Sequence, residues 1–319
     1  AAQISVDADV DYGHGDVEWR LPVPDPEKIY CVGQNYAAHI TEMGYELPEH
    51  PSIFARFPRT FVPHHGSMVM PSHSEHFDYE GELVIVIGTE ARHVSEADAL
   101  NYVAGYTVCN DGSVRDWQKR GPQVAPGKNW EYSGMLGPWI TTADEAGDPT
   151  NMTLRTWVNG DLRQDGNTSD LVFSVAYLVS YISTFITLMP GDMITTGSPS
   201  GVAVAFNPPK WLKPGDKVEI EIESVGRLAG EVIEGELRSP SCRIIQYVGL
   251  KYFQRCRFLI VMGKQRDLGV GQARKASHGP MTLIPSTEVL SENADIPSPA
   301  ITAVPPGLTP LSRLAIAAD

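Results

Sequence analysis

The sequence predicts a strand-rich α+β fold with few helices, and three observations carry that expectation. Residues 83–87 read Leu-Val-Ile-Val-Ile, a continuous apolar run of the kind a strand shows when both its faces are covered. Residues 102–109 (YVAGYTVC) make a second such run. Asn159-Gly160, inside WVNGDL, is a strong type I′ hairpin signal.

The remaining elements follow in chain order. Residues 95–101 (SEADALN) are good helix formers behind Ser95, a natural N-cap, so a helix is expected there. Arg115 and Gln118 fall three apart on an expected short helix after a loop. Ser169 or Asp170 is expected to cap a long helix over 171–188 that stops at Pro190-Gly191. MITTG, KVEIEIE and RLAGEVI then read as strands, with Lys213-Pro214-Gly215-Asp216 as the turn before the second.

The chain has 319 residues, enough for one large domain with an appendage. Residues 239–319 hold nine Lys/Arg against five Asp/Glu, whereas the whole chain carries −14, so the tail differs in kind from the acidic core. Its IPSPAITAVPPGLTP segment is expected to be extended or disordered. The division expected is a 1–24 N-terminal segment, a 25–238 catalytic domain and a 239–319 atypical tail. An acidic surface repels phosphate backbones, which argues against nucleic acid as a partner. No run of eighteen apolar residues and no signal-peptide pattern is present, so neither a membrane span nor secretion is expected. Cys31, Cys109, Cys242 and Cys256 have no CxxC spacing and read as reduced thiols in a cytoplasmic setting.

The chemistry concentrates in FDYEGELVIVIG at 77–88. Alternation along a strand puts Asp78, Glu80 and Glu82 on one face. Carboxylates side by side at the entrance to a buried run repel one another, and a bound divalent cation relieves that repulsion; a solvated strand start is the competing reading. Asp111 ends the next strand and can bring a third carboxylate. An all-oxygen set suits Mg²⁺ or Mn²⁺, with Ca²⁺ as a third candidate, and does not suit zinc. Arg115, Gln118 and Lys128 could clamp an anionic substrate beside it. His39 and Glu42 are spaced i, i+3, so on a helix the carboxylate can orient the imidazole. The turn Thr196-Gly197-Ser198 presents hydroxyls and N–H groups that can hold a carboxylate. His64, His65, His73, His76 and His93 lack the companions of a metal motif, and no His-rich site is expected. GxGxxG, Walker A and GxSxG patterns are absent, so no nucleotide cofactor and no serine nucleophile elbow are expected.

Taken in order, VGQNYAAHITEM, FDYEGELVIVIG, VCNDGSVRDWQ, PGKNW, VNGDLRQDGNTSDL, LMPGDMITTGSPSGV and LKPGDKVEIEIESVGRL resemble the fumarylacetoacetate hydrolase family over roughly residues 25–235. The resemblance implies a mixed β-roll or barrel and a homodimer. It implies Glu80, Glu82 and Asp111 as Mg²⁺/Mn²⁺ ligands and His39–Glu42 as a catalytic dyad on a lid, with Asp78 structural. Arg115, Gln118, Lys128, Thr196 and Gly197 would hold the oxoacid end of a small-molecule substrate, and Lys128 would also be catalytic. Gly81, Gly112 and Ser198 depart from the family pattern, and the two glycines are expected to loosen local geometry. The lid residues 43–52 and the segment TFVPHHGSMVMP are expected to shape the distal pocket. The activity implied is hydrolysis of a C–C bond in a β-diketo acid or 2-oxo-dicarboxylate through a metal-stabilised enolate. Decarboxylation of an oxaloacetate-type substrate and isomerisation of a 2-hydroxymuconate type follow on the same site. A non-catalytic metal-binding homolog is the reading from another class.

Overall fold

The computed structural model describes residues 17–235, so the expectations for residues 1–16 and for the tail lie outside the described residues. Fourteen strands run in chain order: β1 (Ile29–Gly33), β2 (Ser52–Ala55), β3 (Phe61–Val62), β4 (Ser67–Val69), β5 (Phe77–Asp78), β6 (Gly81–Ile87), β7 (Val103–Asn110), β8 (Ser113–Val114), β9 (Gly134–Thr142), β10 (Thr153–Val158), β11 (Asp161–Asn167), β12 (Met193–Thr195), β13 (Lys217–Ile222) and β14 (Gly226–Ile233). The helices are short: α1 (Ala37–Glu42), α2 (Arg115–Gln118), α3 (Ala125–Lys128), α4 (Ala143–Ala146) and α5 (Val175–Phe185). None is long and apolar enough to cross a membrane.

Seven strands form one sheet in the order β2-β1-β12-β6-β7-β9-β3, and five form another, β11-β10-β13-β14-β4. The sheets pack on each other, with β14 against β9 and β7, β13 against β7, and β10 against β6. The apolar run of β6 has a direct cause in this arrangement. Leu83, Ile85 and Ile87 face the main core between the sheets, while Val84 and Val86 face a second cluster with Cys31, Cys109 and Met193. Each such side chain, fully buried, contributes about 1.5–3 kcal/mol. Cys31 and Cys109 are free thiols inside that cluster. The Asn159-Gly160 turn joins β10 to β11 as expected, with both residues at positive φ.

Two helix expectations are corrected. Residues 95–101 form a turn and a 3-10 segment, Ala99–Tyr102, rather than an α-helix. Ser95 Oγ closes a local loop on Asp98, accepting its N–H at 3.3 Å and donating to Oδ2 at 2.6 Å, and the chain then enters β7 at once. The long helix is α5 alone, capped by Ser174, whose Oγ accepts from Tyr177 N, and not by Ser169 or Asp170. Residues 171–173 are held out of the helix: Leu171 bridges Tyr36, and the N–H groups of Val172 and Phe173 bond Asn35. At the other end Leu188 pairs with Ala91, so the helix cannot run on to Pro190.

Candidate metal and oxoacid site

The antiparallel pairing of β6 with β7 builds the centre of the site. Gly81 lies opposite Asn110, so Glu80, just before β6, and Glu82, at its start, meet Asp111 just beyond the end of β7. Backbone and side-chain bonds fix that meeting: Asp111 N–H donates to Glu80 O at 2.8 Å, and Asn110 Oδ1 accepts from Glu80 N at 2.9 Å. Each of the three residues offers an oxygen within 4.8 Å of the others, and all three are buried. Among the described residues this is the one such group, and no histidine belongs to it.

Asp78 does not belong to this trio, in keeping with the expectation that it is structural. The strand is interrupted between β5 and β6, with Tyr79 and Glu80 in the break. The carboxylate of Asp78 accepts from Ala203 N, Val204 N and Tyr79 N, and from Arg115 Nε at 2.7 Å. It is therefore structural, and it turns Arg115 toward the trio.

Around the carboxylates stand three buried cations. Arg115 Nη2 donates to Glu80 Oε1 at 2.7 Å, and its Nη1 to Gln118 Oε1 at 3.0 Å. Lys128 Nζ sits between Glu80 Oε2 at 2.5 Å and Asp111 Oδ2 at 2.7 Å. Arg56 donates to Asp111 Oδ1 at 2.6 Å. Burial alone would raise the Glu80 pKa, but Lys128 and Arg115 outweigh it and hold the carboxyl well below the usual range. Burial, with the like charges of Asp111 and Glu80, pushes Glu82 well above that range. Burial pulls Lys128 down, but Asp111 and Glu80 more than restore it, so it stays a cation.

Glu82 is the buried carboxylate that these cations leave without an ion pair among the described residues; it accepts the N–H of Gly197 at 3.0 Å. A hard divalent cation fits this set, since three buried oxygens converge and one carboxylate lacks a positive partner. Glu80, Glu82 and Asp111 would hold it.

A cavity of about 360 Å³ opens over the trio. His39, Arg115, Gln118 and Lys128 line it, with Tyr45 and Phe54 on its apolar side. His39 Nδ1 lies 3.1 Å from Glu42 Oε2 on α1, as the spacing predicts. Glu42 is itself tied down by Gly201 N–H, at 3.0 and 3.2 Å to its two oxygens, and Gly201 O accepts from Tyr79 at 3.0 Å. Thr196 and Gly197 stand behind the trio and are not among the cavity-lining residues. The Thr196 hydroxyl donates to Leu83 O at 3.1 Å, and Gly197 braces Glu82. Residues 43–52 contribute Met43, Tyr45 and Ser52, but no residue of TFVPHHGSMVMP lines the cavity, contrary to expectation.

The two glycines tighten the site instead of loosening it. A Cβ on Gly81 would lie 2.4 Å from Thr156 Oγ1, and one on Gly112 would lie 1.8 Å from Ser133 O. Neither position has room for a side chain. Arg56 is the residue that sequence reasoning missed: FARFPRT has no spacing or motif that marks it, and its partners Asp111 and Ser133 are 55 and 77 residues away.

A family model described as fumarylacetoacetate (FAA) hydrolase C-terminal matches residues 28–233. Over 214 residues the chain is 45% identical to the 4-hydroxyphenylacetate degradation bifunctional isomerase/decarboxylase of Salmonella dublin, covering 66% of this chain and 48% of that protein. It therefore spans about half the length of that relative. It is 41% identical over 220 residues to human mitochondrial oxaloacetate tautomerase FAHD2A, covering 68% of this chain and 70% of that protein. The structure of fumarylpyruvate hydrolase from Pseudomonas aeruginosa in complex with Mn2+ and pyruvate is similar at a TM-score of 0.60 and 32% identity, covering 66% of this chain and 90% of that one.

Proposed function

The chain belongs to the fumarylacetoacetate hydrolase family, and from that premise we propose that it moves a proton at carbon 3 of a small 2-oxo acid, with a divalent metal, as a tautomerase or isomerase. One observation carries this reading: a carboxylate-oriented imidazole, His39 on Glu42, lines the same cavity as the buried Glu80, Glu82 and Asp111. The names of the Salmonella and human relatives support proton transfer over hydrolysis as the first choice.

When bound at the trio, the cation supplies Lewis acidity, stabilising negative charge on the oxygen of an adjacent 2-oxo group. The protein's own groups do the rest. Arg115, Gln118 and Lys128 orient the substrate carboxylate through charge-assisted hydrogen bonds. Glu42 accepts the Nδ1 proton of His39, which leaves Nε2 free to take a proton from carbon 3 or return it. Tyr45 and Phe54 line the same cavity and limit the water that enters it. Oxaloacetate-type substrates and longer 2-hydroxydienoate acids share the required end group. A homodimer acting on such an acid is part of the same proposal, and light scattering measures that state.

Hydrolytic C–C cleavage is the second reading, favoured by the same dyad and by the Pseudomonas relative's name. There His39 would deprotonate a water that adds to the distal carbonyl. The C–C bond then breaks, its electron pair passes to the enolate of the 2-oxo fragment, and carbon 3 takes up a proton. Product analysis separates the readings. Metal-stripped protein with Mn²⁺ restored would be given acetylpyruvate and oxaloacetate, and pyruvate would be assayed. Consumption of the oxaloacetate enol without pyruvate supports the first reading. Metal-dependent pyruvate from acetylpyruvate moves the assignment to hydrolysis, and from oxaloacetate alone to decarboxylation. A folded, Mn²⁺-loaded protein silent on both substrates leaves a longer 2-hydroxydienoate substrate or a binding protein, and a 2-hydroxymuconate-type acid separates these two.

A further inference from the structure

We propose that Arg56 is a positioning residue that sets the carboxylate of Asp111 for the divalent cation. The inference rests on the reading of Asp111 as a metal ligand.

Arg56 ends up wholly enclosed, with no exposed side-chain surface. A guanidinium has five N–H donors, and a buried one is costly unless they are met. Here five acceptors meet them. Nε donates to Thr60 Oγ1 at 3.1 Å, Nη1 to Asp111 Oδ1 at 2.6 Å and Gly112 O at 3.3 Å, and Nη2 to Ser133 Oγ at 2.9 Å and Thr60 O at 3.4 Å. The ring of Phe61 lies 4.3 Å from the guanidinium carbon. Four of the five bonds anchor the fork to the 60, 112 and 133 segments, and the fifth holds the carboxylate.

The consequence is directional. Arg56 occupies Oδ1, so the rotation of the Asp111 carboxylate is fixed and Oδ2 is left on the side of Lys128 and Glu80. The segment behind it cannot yield, because Gly112 is packed directly on Ser133 O. Lysine cannot substitute, since a point ammonium with three donors cannot span Thr60, Asp111 and Ser133 together. Arg56 does not line the cavity.

The test measures Mn²⁺ affinity directly, by electron paramagnetic resonance of free Mn²⁺, on metal-stripped wild type and on Arg56→Lys, Arg56→Met and Thr60→Ala. Circular dichroism certifies folding. Loss of a group that orients a metal ligand costs about 10- to 100-fold in affinity. Arg56→Lys and Arg56→Met are expected to weaken Mn²⁺ binding by at least about tenfold, with the substrate KM at saturating Mn²⁺ close to wild type. Thr60→Ala, which frees only Nε of the Arg56 donors and also removes the hydroxyl's bond to Phe57 O, is expected to fall between; it decides the matter if the Arg56 variants do not fold. Folded variants that bind Mn²⁺ as wild type does would make Arg56 merely structural and overturn the proposal. Wild type that binds no Mn²⁺ would overturn the ligand reading beneath it, an outcome distinct from the first.

Discussion

Asp78 Oδ2 accepts the Nε–H of Arg115 at 2.7 Å, and this contact decides which way the guanidinium faces. With Nε engaged, its two terminal nitrogens reach Glu80 and Gln118. The same carboxylate holds the N–H groups of Ala203 and Val204. Asp78 thus joins a candidate anion-binding group, a metal-ligand candidate and the loop that anchors Glu42.

Asp78→Asn keeps the shape but replaces one acceptor oxygen with a donor and removes the charge opposite Arg115. A hydrogen bond to a charged group is worth about 1.5–3 kcal/mol. The expected outcome is a fall in kcat/KM of about 10- to 150-fold, mostly in KM, with Mn²⁺ affinity falling less. Steady-state kinetics and Mn²⁺ titration on the same preparation check the split.

Glu82 gives the metal site a pH signature. Its carboxyl is raised in the folded, metal-free protein, by burial and by Asp111 and Glu80. A carboxyl raised above its unfolded value of about 4.3 binds more proton folded than unfolded. The stability of the metal-free protein therefore falls as pH rises from that value toward the folded one. A cation needs the carboxylate, so metal binding expels the proton, and affinity climbs with pH over the same window. Mn²⁺ calorimetry in two buffers of different ionisation heat should show proton release. Glu82→Gln should lose it, along with most of the affinity.

His39→Asn and Glu42→Gln remove the proton carrier and its orienting group without touching the trio. General acid–base catalysis contributes about 10²- to 10⁴-fold, so kcat should drop by that order for His39→Asn and by less for Glu42→Gln. Mn²⁺ affinity should stay near wild type. Equal loss of binding and turnover in His39→Asn would show that the helix acts on the metal site instead.

Much of this site can be read from the chain because strand pairing is local. Glu80, Glu82 and Asp111 sit at matching ends of two strands joined by one connection, so the apolar runs of β6 and β7 already locate them. His39 and Glu42 share one helix face, and spacing alone pairs them. Contacts without period are not legible. Arg56 reaches Asp111 and Ser133 through tertiary packing, and Thr196 turns to Leu83 O because β12 lies beside β6. The helix ends at 95–101 and 171–188 failed for a related reason. Propensity favours helix in both, but Ser95 closes a local loop on Asp98 in the first, and Asn35 and Ala91 claim the flanking backbone of the second.

The central claim is metal-dependent proton transfer at carbon 3, and its most direct test is the keto–enol interconversion of oxaloacetate followed by stopped-flow absorbance. Metal-stripped protein, the same protein with Mn²⁺ restored, and Glu80→Ala with Mn²⁺ would be compared with the protein-free rate at equal Mn²⁺. The account predicts acceleration only by the metal-restored wild type. Interconversion at the protein-free rate by folded, Mn²⁺-loaded wild type, with pyruvate released from acetylpyruvate, would contradict it and leave hydrolysis as the function.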